Sequence, residues 1–221
     1  MKAKRRFNIW LWVLLCVPCL LASCDHDVHD GEDEGGLSVS LTWADEADQG
    51  TEVKDVKLWI FDADKGSLIE EKHYGSTEEV ASQRFELPEG TYRILTTTNL
   101  TEPFFISEQT RALTNWNNIQ IGLTNPKDVN HNAYFGVTDV RIDNKEGNYV
   151  VQNPVKSMLA ELTIIIENIP KGTEMSGKAL DCAWCLFPTL KNSDGEYGLP
   201  SIEPTEVELP TLLATESTLK S

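Results

Sequence analysis

Cysteines, histidines and closely spaced carboxylates are the residues of this 221-residue chain with chemistry to offer. Their spacing decides how much. Cys182-Ala183-Trp184-Cys185 has the two-residue gap of a redox pair, but a thioredoxin-like site puts that pair at the start of a helix after a strand. Leu180 to Pro188 reads instead as extended. The pair is also half a zinc site, and the folded part holds no second pair to complete it. Residues three apart on a regular strand point to opposite faces, so a mutual disulfide needs a turn or a bulge. Cys182 and Cys185 are therefore expected to be structural. His26 and His29 lie among Asp25, Asp27 and Asp30, donor types suited to a divalent cation, yet a solvated linker is the expectation there. His73 and His131 stand without a neighbouring nucleophile motif. Asp62 and Asp64 share the spacing of a calcium loop, but Gly66 is misplaced and the terminal bidentate acid is missing, so residues 62–66 read as a hairpin turn. No Gly-x-Ser-x-Gly, His-Glu-x-x-His or phosphate-cradling glycine loop occurs. With 35 acids, any glycosidase pairing is unconstrained. Neither an enzyme nor a bound metal or cofactor is expected.

The elements that carry these residues begin with a leader. Lys2, Lys4, Arg5 and Arg6 precede an apolar run, Phe7 to Leu21, of the length a secretory h-region needs. The run is short for a spanning helix, is interrupted by Pro18 and is followed by acid rather than base. It ends on Leu21-Ala22-Ser23-Cys24, which resembles the lipobox of bacterial lipoproteins. The resemblance implies cleavage between Ser23 and Cys24 and a diacylglycerol on the Cys24 thiol. Each buried acyl methylene contributes about 0.8 kcal/mol and one chain holds only marginally, so an anchor of several chains is stable without spanning the bilayer. Residues 25–36 are acidic and Gly-rich with a single apolar residue, too little to offset the entropy of ordering. They read as a tether. Acid directly after the lipidated cysteine also resembles the export signal that sends Bacteroidetes lipoproteins to the outer face of the outer membrane.

Forty per cent of the residues are hydrophobic, a globular composition, and the formal charge is −16. Removing the leader takes away four bases and no acid, so the mature chain is more acidic still. Nucleic acid is a poor partner for such a surface, because phosphate binding needs clustered Lys and Arg. Cys16 and Cys19 leave with the leader and Cys24 carries lipid, which excludes a disulfide framework. Stability must come from a packed core.

That core is to be built from strands. Leu37, Val39, Leu41 and Trp43 alternate with Ser38, Ser40 and Thr42, a half-buried pattern of period two. Val53 to Phe61 repeats it, with Val56, Leu58 and Ile60 opposite Lys57, Trp59 and Phe61. Ser67 to Tyr74 is a third strand. Pro88 and Gly90 mark a corner before a strand carrying Tyr92 and Ile94, and a tyrosine at such a corner can lock it by hydrogen bonding to the backbone. A short helical turn is expected between Ser107 and Leu113. Ile119 to Leu123, Tyr134 to Ile142 and Tyr149 to Gln152 alternate again. Leu162, Ile164 and Ile166 form one face of the strongest strand of the second half, Met175 to Pro188 has room for one more, and the tail from Lys191 to Ser221 has no clear period. Short strands at regular spacing argue for an all-β sandwich. The expected division is 1–23 leader, 24–36 lipidated cysteine and tether, 37–152 first β-domain, and 153–221 a second, incomplete one.

Taken together, the lipobox, the acidic tether, Leu37 to Trp43, Val56 to Asp62, the corner in Phe85 to Leu95, Tyr134-Phe135-Gly136 before a strand, and Met158 to Ile169 resemble the Bacteroidetes fimbrillin-associated anchor and minor-subunit lipoproteins (FimB/Mfa2-like). The resemblance implies transthyretin-like β-sandwiches in tandem. It also implies a place at the base of a fimbria, in the outer membrane and exposed at the cell surface, with a pilin as partner. Subunits of such fibres join when a strand from one fills a groove in the next, so that backbone bonds along a sheet edge supply affinity. The rival reading is a glycan-binding surface lipoprotein of a polysaccharide-uptake system. It needs coplanar exposed aromatics, for which Trp59, Tyr92, Trp116, Tyr134 and Trp184 are the candidates.

Overall fold

The computed structural model describes residues 35–107, 114–125, 131–159, 166–201, 205–209 and 211–213. The expectations for the leader, for Ser23 and Cys24, for the tether as far as Glu34, for a turn between Ser107 and Leu113, for Leu162 and Ile164 and for the last eight residues lie outside these.

In chain order the elements are β1 (Gly36–Trp43), β2 (Val56–Asp62), β3 (Leu68–Tyr74), the helix α1 (Thr77–Ala81), β4 (Gly90–Thr98), β5 (Phe104–Ile106), β6 (Ile121–Leu123), β7 (Tyr134–Ile142) and β8 (Asn148–Ser157). They continue with β9 (Glu174–Met175), β10 (Lys178–Cys182), β11 (Cys185–Lys191), β12 (Tyr197–Pro200), β13 (Thr205–Glu208) and β14 (Leu212–Leu213). The fold is mostly β. A six-stranded sheet runs β1-β8-β7-β4-β2-β3, with β1 parallel to β8 and the other neighbours antiparallel.

Alternation in β2 sends Val56, Leu58 and Ile60 to one face and Trp59 and Phe61 to the other, and all five are buried. This strand is covered on both sides. On the first face, Leu37 and Val39 from one edge strand and Ile69 and Tyr74 from the other join the same cluster as Ile94 and Val140. The two edges of the sheet therefore curl round a common core. Val80 of α1, Phe85 and Leu87 pack into that core as well. Burying each such side chain contributes about 1.5–3 kcal/mol. The helix was missed by periodicity because it is five residues long. Its signal was Ser76-x-x-Glu79: Ser76 Oγ accepts from Glu79 N at 3.3 Å, and Glu79 Oε2 accepts from Gly75 N at 2.7 Å.

Both expected turn devices are present. Tyr92 Oη donates to Pro88 O at 2.8 Å and ties the corner before β4. Asp62 Oδ1 accepts from Asp64 N at 3.0 Å and Lys65 N at 2.8 Å, and Lys65 Nζ reaches Oδ2 at 3.1 Å, which makes residues 62–66 a hairpin turn. The Lys65 backbone N–H and then its ammonium hold the Asp62 carboxyl below the usual aspartate range. A depressed carboxyl stabilises the fold above its unfolded pKa, and that stabilisation is lost as pH falls through the folded value. The protection factors of the Asp64 and Lys65 amides, measured against their intrinsic exchange rates, should therefore fall as pH drops below the ordinary aspartate range, and Asp62→Asn should flatten the dependence. An unchanged profile in the variant would refute this account of the turn.

A second sheet, β12-β11-β6-β5, lies against the other face of the first. Ile106 of β5, Tyr197 of β12, and Trp116 and Ile119 pack on Trp59, Phe61 and Leu95. It draws strands from both sides of the expected 152/153 division, since β6 pairs with β11, and β8 runs unbroken from Asn148 to Ser157. Where one strand was expected between Met175 and Pro188 there are β9, β10 and β11. The patternless tail holds β12, β13 and β14. Four of these strands are defined by pairing with a distant partner, β10 with β13 and β9 with β14. Apart from the seven-residue β11, the strands from β9 to β14 have two to five residues, too few for alternation to announce itself.

Candidate interaction surface

The short strands β5 and β6 turn Phe104 and Ile121 inward with Leu100 and Ala133, and Met158 and Leu159 close against them. Beside them β11 pairs Cys185 with Gly122 and Leu186 with Ile121. A Cβ on Gly122 would stand 2.6 Å from Phe105 Cζ and 3.0 Å from Cys185 Sγ, so glycine is what lets the strands and these side chains meet. An isolated glycine in an alternating run is the mark of such an approach. A cleft of about 370 Å³ opens here, lined by Leu123, Met158, Leu159, Trp184 and Pro200 among others. Apolar groups surface around it: Trp184 is 36% exposed, Phe105 37%, and Leu180 on β10 63%.

The sheet edges differ in character. β3 bounds the large sheet and presents Glu71, Lys72 and His73 to solvent, with the His73 imidazole paired to Asp55. A charged edge discourages a further strand. The small sheet is bounded by Phe104-Phe105-Ile106 and Tyr197-Gly198-Leu199-Pro200, without such a charged row. An extended apolar segment laid there would gain backbone hydrogen bonds and side-chain pockets together.

Cys182 and Cys185 both line the cleft, and neither is in a disulfide. Ala183 and Trp184 between them form neither turn nor bend, so the geometry a bridge requires is missing. Cys185 is buried, and Cys182 Sγ donates to Leu180 O at 3.8 Å. Among the described residues no group of three or more His, Cys, Asp or Glu could hold a metal ion. Of the five aromatics a sugar platform would need, Trp59, Tyr92, Trp116 and Tyr134 are at most 5% exposed and belong to the core. Burial also raises the pKa of Tyr92 and Tyr134. Only Trp184 of the five reaches the surface.

The sequence profile of the fimbrillin-A associated anchor proteins Mfa1 and Mfa2 matches residues 24–197. The chain belongs to this anchor family. The Mfa2 family is structural rather than enzymatic, and membership implies association with the cell surface and outer membrane. No curated protein matches the chain. Among solved structures, a candidate adhesin of Bacteroides ovatus aligns over 83% of this chain and 69% of its own at 17% identity and a TM-score of 0.52. The fimbrial anchor protein Mfa2 of Porphyromonas gingivalis aligns over 82% of this chain and 74% of its own at 14% identity and a TM-score of 0.49. A candidate polysaccharide-binding protein of Bacteroides thetaiotaomicron aligns over 56% of this chain at 16% identity and a TM-score of 0.47, and the chain spans 48% of its length. At these identities the Bacteroides ovatus likeness shows the fold, and membership of the Mfa2 family rests on the profile.

Proposed function

We propose that this member of the Mfa2 family is a lipid-anchored fimbrial anchor or minor subunit that attaches a pilus to the outer membrane through strand-edge contacts. The observation that carries the reading is the family match, which begins at Cys24 itself. Signal peptidase cuts between Ser23 and Cys24, the Cys24 thiol carries diacylglycerol, and residues 25–36 hold the folded part off the surface. Several acyl chains make that attachment stable, at about 0.8 kcal/mol per buried methylene. Among the described residues no helix is long and apolar enough to cross a membrane. The curled sheet and the sheet laid on it are the transthyretin-like unit. A pilin strand adds to the small sheet, where the edges lack charge and the apolar cleft can receive alternate side chains.

The test is growth on an alkyne fatty acid, followed by dye coupling and protease treatment of intact cells. The wild type should be labelled, cleaved from outside and recovered with a pilin. Cys24→Ala should lose the label and release pili into the medium. A labelled Cys24→Ala protein, or a labelled wild type recovered without pilin from piliated cells, would overturn the reading.

A further inference from the structure

A second cleft, of about 340 Å³, lies where β1 and β4 end, beside the start of α1. Its floor is Leu41, Val53 and Val155, and Trp43 stands in its wall, edge-on to Tyr134 with ring centroids 4.8 Å apart. Thr98 shares the strand face of Tyr92 and Ile94, so its side chain points into the curl rather than away from it. Thr98 is fully buried, and its Oγ1 has no hydrogen-bond partner. A buried hydroxyl without a partner is costly, and its place in the wall of a cleft is what a ligand would explain.

The rim supplies charge. Glu78 and Glu52 line the cleft, with Thr77 and Thr51 beside them. Hydrogen bonds from its own backbone N–H and from Ser76 and Thr77 keep the Glu78 carboxyl ionised below its usual range. The Glu52 carboxylate meets the exposed Lys54 ammonium at 3.0 Å, a pair open to exchange. An apolar floor, an aromatic wall, hydroxyl acceptors and two carboxylates match a methylene stem that ends in an ammonium, in the manner of recognition pockets generally. A net charge of −16 attracts such a group from a distance. We propose that this cleft takes a lysine side chain presented by a protein partner.

The inference goes beyond the anchor reading and stands without it, because its test needs neither lipid nor pilin. The detergent-solubilised full chain, labelled with ¹³C at threonine methyls, is titrated with n-butylammonium chloride, n-butanol or methyl α-D-glucopyranoside. Thr98 assigns itself by its loss in Thr98→Val. The Thr98 and Thr77 methyls should shift saturably with butylammonium and not with butanol. Glu78→Gln should weaken binding about fivefold, and added salt should weaken it further. Thr98→Val, which removes only an unpartnered hydroxyl, should leave the melting temperature unchanged or higher while weakening the ammonium. Saturation by the glucoside instead, equal shifts with butanol, or no shift in any titration would each overturn the proposal. So would a lowered melting temperature in Thr98→Val, since the hydroxyl would then have a structural partner.

Discussion

Trp116→Ala is expected to cost about 4 kcal/mol of unfolding free energy, the range seen when a buried tryptophan or phenylalanine is truncated. The residue is 4% exposed and stands between the two sheets. Its ring meets Phe61 edge-on at 5.3 Å and Tyr197 edge-on at 5.8 Å, and the Arg93 guanidinium lies 5.3 Å from its centroid. Lys191 continues the series 4.9 Å from the Tyr197 ring. Truncation leaves a void where the large sheet meets the small one and removes two aromatic pairs, each contributing about 1 kcal/mol beyond area. A marginal domain of about 5–15 kcal/mol in total would feel this strongly. Urea unfolding followed by far-ultraviolet circular dichroism gives the number, and Trp116→Phe should recover roughly half of it. A loss below about 1 kcal/mol would mean that the small sheet is held on by other contacts.

Asn153→Asp is expected to be tolerated in acid and strongly destabilising at neutral pH. Asn153 is fully buried on the inner face of β8. Its Nδ2 donates to Thr96 Oγ1 at 3.0 Å and Gly136 O at 3.3 Å, and its Oδ1 accepts from Thr138 Oγ1 at 2.9 Å. A Cβ on Gly136 would come within 2.6 Å of Pro154 O, so the neighbouring strand leaves no room to rearrange. A protonated aspartic acid can still donate one hydrogen bond and accept the other. An ionised one sets an acceptor against the Gly136 carbonyl and buries its charge with no cation among these contacts. Burial raises such a carboxyl by about 3 units, which is about 4 kcal/mol. The folded pKa lies above the unfolded one, so the variant matches wild type below about pH 4 and falls behind as pH rises towards the folded value. The difference between variant and wild-type stability from pH 3 to 8 is the measurement. A pH-independent difference would mean that the site admits water.

Much of the large sheet was legible because its strands are long enough to show their period. β1, β2, β4 and β7 each run seven residues or more, and the alternating apolar residues of their inner faces, from Leu37 and Val39 to Val140 and Ile142, form one buried cluster. The Tyr92 corner and the Asp62 turn were equally readable, since each is a contact within a few residues. The placement of the candidate aromatics was not legible, for a physical reason: Trp59 and Trp116 are covered only because a second sheet packs on them.

By itself the sequence determined the mostly β character, the alternating core of the curled sheet and the membership of the Mfa2 family over residues 24–197, because strand period, turn chemistry and family pattern are all carried along the chain. Only the tertiary structure decided that β5 and β6 share a sheet with β11 and β12, that Asn153 lies in the interior, and that Thr98 is buried in the lining of a cleft. Those facts depend on pairing between residues far apart in sequence. A three-residue strand has no period of its own, and a polar residue in a strand reads as solvent-facing until its neighbours close over it.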